Sequence, residues 1–194
     1  MDDVLDLTGG REAFRAWLQR NAAGGQGRWL VRYRKGEPGH IPMREITEEL
    51  LCFGWIDSAV RKRDKRSSYL RISPRNPESA WSGLNKRLVE SARDAGRMTA
   101  AGEALIAAAE ANGMWTFLDD VEALIVPGDL GEALGEGTDA RRHWDAFPPS
   151  SRRGILEWIK QAKRPETRER RIAETARLAA RNIRALSPDA KAAS

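Results

Sequence analysis

Cysteine and histidine are almost absent from this 194-residue chain, and it has no long apolar run. The one cysteine, Cys52, excludes an internal disulfide and cannot by itself build a zinc site. Its neighbours Leu50, Leu51 and Phe53 mark it as a small buried hydrophobe, with a reactive thiol as the alternative because cations follow nearby. His40 and His143 lack metal-ligand spacing, and His40 sits in the loop-like EPGHIP, so neither a metal nor another cofactor is expected. No segment approaches the ~20 apolar residues that span a bilayer. The acidic start, MDDVLDLTGG, lacks the basic and apolar regions of a signal peptide, so a cytoplasmic address is expected. There is no Walker A loop, no G-x-S-x-G and no dinucleotide fingerprint behind a strand. Asp119 and Asp120 are adjacent, diverge on regular structure, and read as helix entry or solvent face. Nothing selects a Ser, His and Asp set, so catalytic residues are unassigned and the balance leans away from an enzyme.

What the chain does contain is ordinary in bulk and uneven in detail. Hydrophobic residues at 41% and charged residues at 31% suit a globular protein, but seven tryptophans stand against two tyrosines. Each tryptophan reads first as an anchor of one element to the core. The net charge of +5 is patterned: residues 61–97 carry 11 Lys/Arg and 4 Asp/Glu, residues 98–145 carry 2 and 10, and residues 146–194 carry 12 and 5. Two basic blocks thus flank an acidic one, which either attracts phosphates or is neutralised within the molecule.

Periodicity predicts an α+β protein. Thr8 is a plausible cap for a first helix carrying Phe14, Trp17 and Leu18. After a turn at Gly24, Gly25 and Gly27, Trp29, Val31 and Tyr33 alternate with Leu30, Arg32 and Arg34, the period of a strand with one buried face. A helix opens at Pro42, carries Ile46, Leu50 and Phe53, and stops at Gly54. Residues 55–60 and YLRIS read as two strands joined by a turn at Ser67 and Ser68. Helices then follow: one with a stripe of Trp81, Leu84, Leu88 and Ala92, one capped by Thr99, a short one after Pro127, one capped by Ser150, and one restarted by Pro165. The expected organisation is an α+β domain over 1–97 with an antiparallel sheet of about three strands and a basic hairpin, a helical C-terminal module over 98–186 packed on it, and a disordered tail over 187–194.

Three segments together resemble the YdeI/OmpD-associated, or bacteriocin-protection, family: CFGWID, a P-R-x-P-x-S-x-W-S-x-x-N stretch, and W-I-x-x-A-K-R-P-E-T-R-x-R-R-I near the C-terminus. The likeness runs over most of residues 11–182, with departures at Met43 and Ser58. It implies a role in stress or antimicrobial-peptide protection and carries no reaction with it, so a non-enzymatic cytoplasmic binding protein is expected. A porin partner is implied by the family name alone.

Two constellations are candidate sites. Trp55 and Asp57 share a strand face and Trp81 and Asn85 a helix face; with Arg75 and Ser82 they form a possible pocket for a small ligand or protein partner. In the competing reading Asp57 pairs with Arg75, Asn85 satisfies a backbone group, and both tryptophans are core. An enzyme acting on a small anionic or aromatic substrate would use this same pocket. The second constellation is the hairpin stripe Arg61, Arg63 and Lys65, with Arg71 opposite, which fits a nucleic acid or serves as a solvated edge that blocks aggregation. Arg168, Arg170 and Arg171 make a similar basic run, with Glu166, Glu169 and Glu174 as expected helical partners.

Overall fold

The computed structural model describes residues 4–192. The chain divides into two compact units, Met1–Phe117 and Leu118–Ser194. The expected boundary at 97/98 therefore differs from the observed one, because the helix after it packs with the first unit.

In the first unit a short strand β1 (Val4–Leu5) and helix α1 (Gly10–Asn21) precede β2 (Arg28–Tyr33). Helix α2 (Met43–Cys52), strands β3 (Trp55–Lys62) and β4 (Ser67–Pro74), and helices α3 (Gly83–Asp94) and α4 (Ala100–Ala111) follow. The sheet order is β1-β2-β4-β3, with β1 parallel to β2 and the other pairs antiparallel. The fold is α+β as expected, but the sheet is mixed and has a fourth strand. Two residues are too few to display a period, which is why β1 left no signal in the sequence.

Leu30, Leu70 and Ile72 share one sheet face and bury it against Phe14 and Leu18 of α1 and Ile46 and Leu50 of α2. The opposite face carries Trp29, Tyr33 and Tyr69. The alternation in β2 is therefore real, but it is Leu30, not the aromatic set, that faces the helices. A second cluster joins Leu51, Trp81, Leu88, Val89, Ile106 and Ala109.

Local signals explain several ends. Gly54 adopts φ +74° just past α2, a left-handed geometry that costs a side-chain-bearing residue about 1–2 kcal/mol. Thr99 caps α4 as expected, its Oγ1 accepting from Gly102 N. Other ends differ. Gly9, not Thr8, precedes α1. Ser67 and Ser68 lie within β4, and the turn is built instead by Asp64, whose Oδ1 accepts from Arg66 N, Ser67 N and Ser67 Oγ. Those donors, Arg66 N first, hold the Asp64 carboxyl below the usual range. Trp81 precedes α3 instead of riding on it, and Leu84 faces solvent while Val89 takes its place inside.

The second unit is helical: α5 (Asp119–Glu122), α6 (Gly128–Leu134), α7 (Asp139–Ala146), α8 (Pro149–Lys160), α9 (Pro165–Ala179) and α10 (Pro188–Ala192). Helix α9 packs against α6, α7 and α8; Ile172, Leu178 and Ala179 of α9 are buried, as are Leu130 of α6, Trp144 of α7 and Ile159 of α8. Ser150 lies inside α8, which starts one residue earlier at a proline. The expected tail is partly ordered: α10 buries Ala190, while residues 193–194 lie outside the described residues.

Candidate functional site

The six residues of the expected pocket are divided between two hydrophobic clusters, a helix cap and separate local contacts. Trp55 is buried in the cluster beneath the sheet, edge-on to Trp17 at 6.0 Å, and its Nε1 donates to Ala22 O at 3.2 Å. Trp81 is buried in the other cluster, 5.1 Å from Trp115. Its backbone N–H donates to Met114 O, which fixes the approach to α3. Ser82 is the cap of that helix, its Oγ accepting from Asn85 N at 3.3 Å. Because Trp81 lies outside the helix, it and Asn85 do not share a helical face.

Arg75 is buried, and its guanidinium lies over the Trp81 ring at 4.2 Å. Its Nη2 donates to Ala80 O at 2.6 Å. Burial pushes this guanidinium down to about 10, opposed only by the more distant Asp57 carboxylate. Asp57 accepts from Thr47 Oγ1 at 3.3 Å, so the expected Asp57 to Arg75 ion pair is replaced by two separate local contacts. The Arg75 side chain pins the loop into α3.

The hairpin cations divide into two groups. Arg63 pairs with Asp6 at 3.3 Å and Asp64 at 3.8 Å, and Arg66 Nε donates to Glu37 at 2.7 Å. Lys65 is exposed in the turn, beyond the end of β3, and is not part of a strand stripe. Arg61 and Arg71 behave differently. The register sets Tyr69 opposite both Val31 and Arg61, and Trp29 opposite Arg71, so all five occupy the outer sheet face. Arg61 lies over the Trp29 ring at 4.6 Å and Arg71 at 5.8 Å, while Arg63 lies 5.7 Å from the Tyr69 ring. Trp29 and Tyr69 meet edge-on at 6.4 Å and are both only half-buried. Neither Arg61 nor Arg71 has a carboxylate partner among the described residues. Sequence reasoning found the cations and missed the rings, because strand period alone does not tell which face of β2 is packed.

It also missed a buried charge cluster. Glu49 of α2 is fully buried and accepts from Arg11 Nε and Arg15 Nη1, both at 2.7 Å, and from Arg97 Nε at 2.9 Å. Burial alone would raise its pKa, but the three guanidiniums overcome it and hold the carboxyl below the ordinary range. Adjacent Cys52 is buried, and loss of solvent pushes its thiol up to about 11, with the Glu49 charge adding to the effect. No thiolate chemistry is available at neutral pH from such a group. The i, i+4 spacing of Arg11 and Arg15 was the available signal for one half of this cluster.

In the second unit Arg168 grips Asp129 through two bonds of 2.7 and 2.9 Å, and Arg171 lies over the Trp158 ring at 4.9 Å. The expected partners Glu166, Glu169 and Glu174 are not used in these contacts. The terminal signature that carried the resemblance thus ties α9 to α6 and α8. Among the described residues no group of three His, Cys, Asp or Glu is placed to hold a metal ion, and no helix is long and apolar enough to cross a membrane.

These features define an α+β protein with a buried ionic cluster, an outer face of arginines and aromatic rings, and a separate helical unit. Residues 8–105, half of the chain, match the family described as a domain of unknown function, DUF8412, and the chain belongs to that family. Residues 123–182 match the family described as bacteriocin-protection, YdeI or OmpD-associated. The resemblance drawn over 11–182 is thus met in its C-terminal part, while the first unit answers to a different family. Comparison with curated proteins and with solved structures finds no match.

Proposed function

We propose that this is a non-enzymatic cytoplasmic binding protein with a role in stress or bacteriocin protection, and that it meets an anionic partner through the outer sheet face of the first unit. The protective role rests on the family description matched by residues 123–182. The cytoplasmic address rests on the lone cysteine, Cys52, which is free and buried and forms no internal disulfide. One observation carries the binding face: Arg61 and Arg71 are held over Trp29 without a carboxylate partner among the described residues. Cations already neutralised by carboxylates gain little from an incoming anion, whereas these two keep their charge available.

The Trp55 to Asn85 set acts in this reading as scaffold, since both indoles are buried in separate clusters and Ser82 and Asn85 form a helix cap. That placement favours scaffold over a substrate pocket and so supports the non-enzymatic reading. Salt elution from immobilised heparin tests the face. The Arg61→Gln, Arg71→Gln double variant is expected to elute at clearly lower salt than wild type, while the Arg44→Gln, Arg87→Gln double variant, which also removes two charges but from exposed positions of α2 and α3, shifts elution less. Equal shifts would mean that only net charge matters and would remove the face as a site.

A further inference from the structure

Building on the outer-face reading, we infer that the anionic partner is a single-stranded nucleic acid, whose bases stack on Trp29 and Tyr69 while Arg61 and Arg71 take its phosphates. A polyanion without bases is held by cations alone and gains nothing from rings set among them. Here two half-buried rings on neighbouring strands meet edge-on at 6.4 Å, and the register puts Arg71 opposite Trp29 and Arg61 opposite Tyr69. Each ring therefore has a guanidinium beside it. A guanidinium resting on an indole face is exchangeable: a base can take its place on the ring while the cation turns to the adjoining phosphate.

The surroundings keep this arrangement open. At Gly27, just before β2, a Cβ would lie 2.7 Å from Arg71 Nη2 and 3.0 Å from its Cζ, so the absent side chain leaves room for that guanidinium. A duplex fits less well. Its bases are stacked internally and offer edges, not faces, to the rings. A ribbon entering a major groove would use the hairpin tip, and there Arg63 and Arg66 are occupied by Asp6, Asp64 and Glu37. Stacking on π-faces tolerates any sequence, so weak base preference is expected.

Fluorescence anisotropy with labelled single strands of about 12 nucleotides, a duplex of the same length, and labelled polyphosphate tests the inference. Single strands are expected to bind more tightly than either comparator. Trp29→Ala is expected to weaken single-strand binding about 5- to 100-fold and leave polyphosphate binding unchanged. Tyr69→Leu, which keeps apolar bulk in the sheet, should act in the same direction if Trp29→Ala does not fold. The Arg61→Gln, Arg71→Gln pair should flatten the slope of log K against log salt by about 1.4, near 0.7 per phosphate contact. Polyphosphate binding equal to the single strand, with Trp29→Ala and Tyr69→Leu unaffected, would overturn the nucleic-acid assignment and leave the anion-binding face standing, and duplex binding equal to the single strand would overturn the single-strand assignment. No binding of any of the three at low salt would overturn both.

Discussion

Glu49 concentrates the energetics of the first unit on one side chain. A carboxylate buried among Arg11, Arg15 and Arg97 is stable only while charged, since protonation would leave three guanidiniums facing a neutral group. Glu49→Gln is expected to lower stability by about 3–5 kcal/mol at pH 7, read by urea denaturation. The folded pKa lies below the ordinary value, so this stabilisation is complete above the unfolded pKa of about 4.3 and is lost as pH falls through the folded one. Wild type and variant should therefore draw together as pH falls below the unfolded value, and meet only below the lowered folded one. Cys52 gives a second expectation at this scale. With its thiol raised to about 11 and no exposed surface, it should resist a disulfide reagent in the native protein and react stoichiometrically once denaturant is added. Native-state labelling at the rate of a free thiol would contradict the placement of α2. The buried character of Cys52 was legible from Leu50, Leu51 and Phe53, but its ionic neighbours were not. Arg11 and Arg97 stand 38 and 48 residues from Glu49, and no local pattern spans such distances.

Among elements, α2 and α4 approach closely enough at Gly102 to leave no room for a side chain. A Cβ at Gly102 would lie 2.5 Å from Cys52 O and 2.8 Å from Leu51 O, so the helices approach to backbone contact there. The same carbonyl of Cys52 accepts from Thr99 Oγ1 at 2.5 Å, joining the end of α2 to the cap of α4. Gly102→Ala must push the helices apart and should cost about 1–3 kcal/mol, seen as a lower melting temperature. Gly131→Ala meets nothing within 4 Å on α6 and should be neutral or slightly stabilising, a control for the general effect of replacing a helical glycine. Element identity was readable at most of these places, since Gly54, Thr99 and Pro165 are strong punctuation. Ser67, Ser68 and Ser150 misled because serine also sits comfortably inside a strand or a first helical turn, and a neighbouring Asp64 or proline supplied the stronger terminator.

At the scale of the whole molecule each unit carries its own core, and the proposed face belongs wholly to the first. Leu130→Ala, at a fully buried site of the second unit, should destabilise by about 2–5 kcal/mol in calorimetry and leave heparin retention unchanged while the protein stays folded. Loss of retention in that variant would place the anion-binding surface elsewhere. From its composition and local spacing alone the sequence determined a helix-rich α+β chain, a lone cysteine, the helix stop at Gly54 and an excess of cations in the hairpin. These follow from propensity, capping and charge, which act between residues close along the chain. Only the tertiary structure decided that Leu30 faces the helices while Trp29 and Tyr69 face outward, that Arg63 and Arg66 are neutralised while Arg61 and Arg71 are not, and that Trp55 and Trp81 never meet. A period of two announces that a strand has two faces. Which face is covered depends on what packs against it, and that is settled by burial summed over the whole unit.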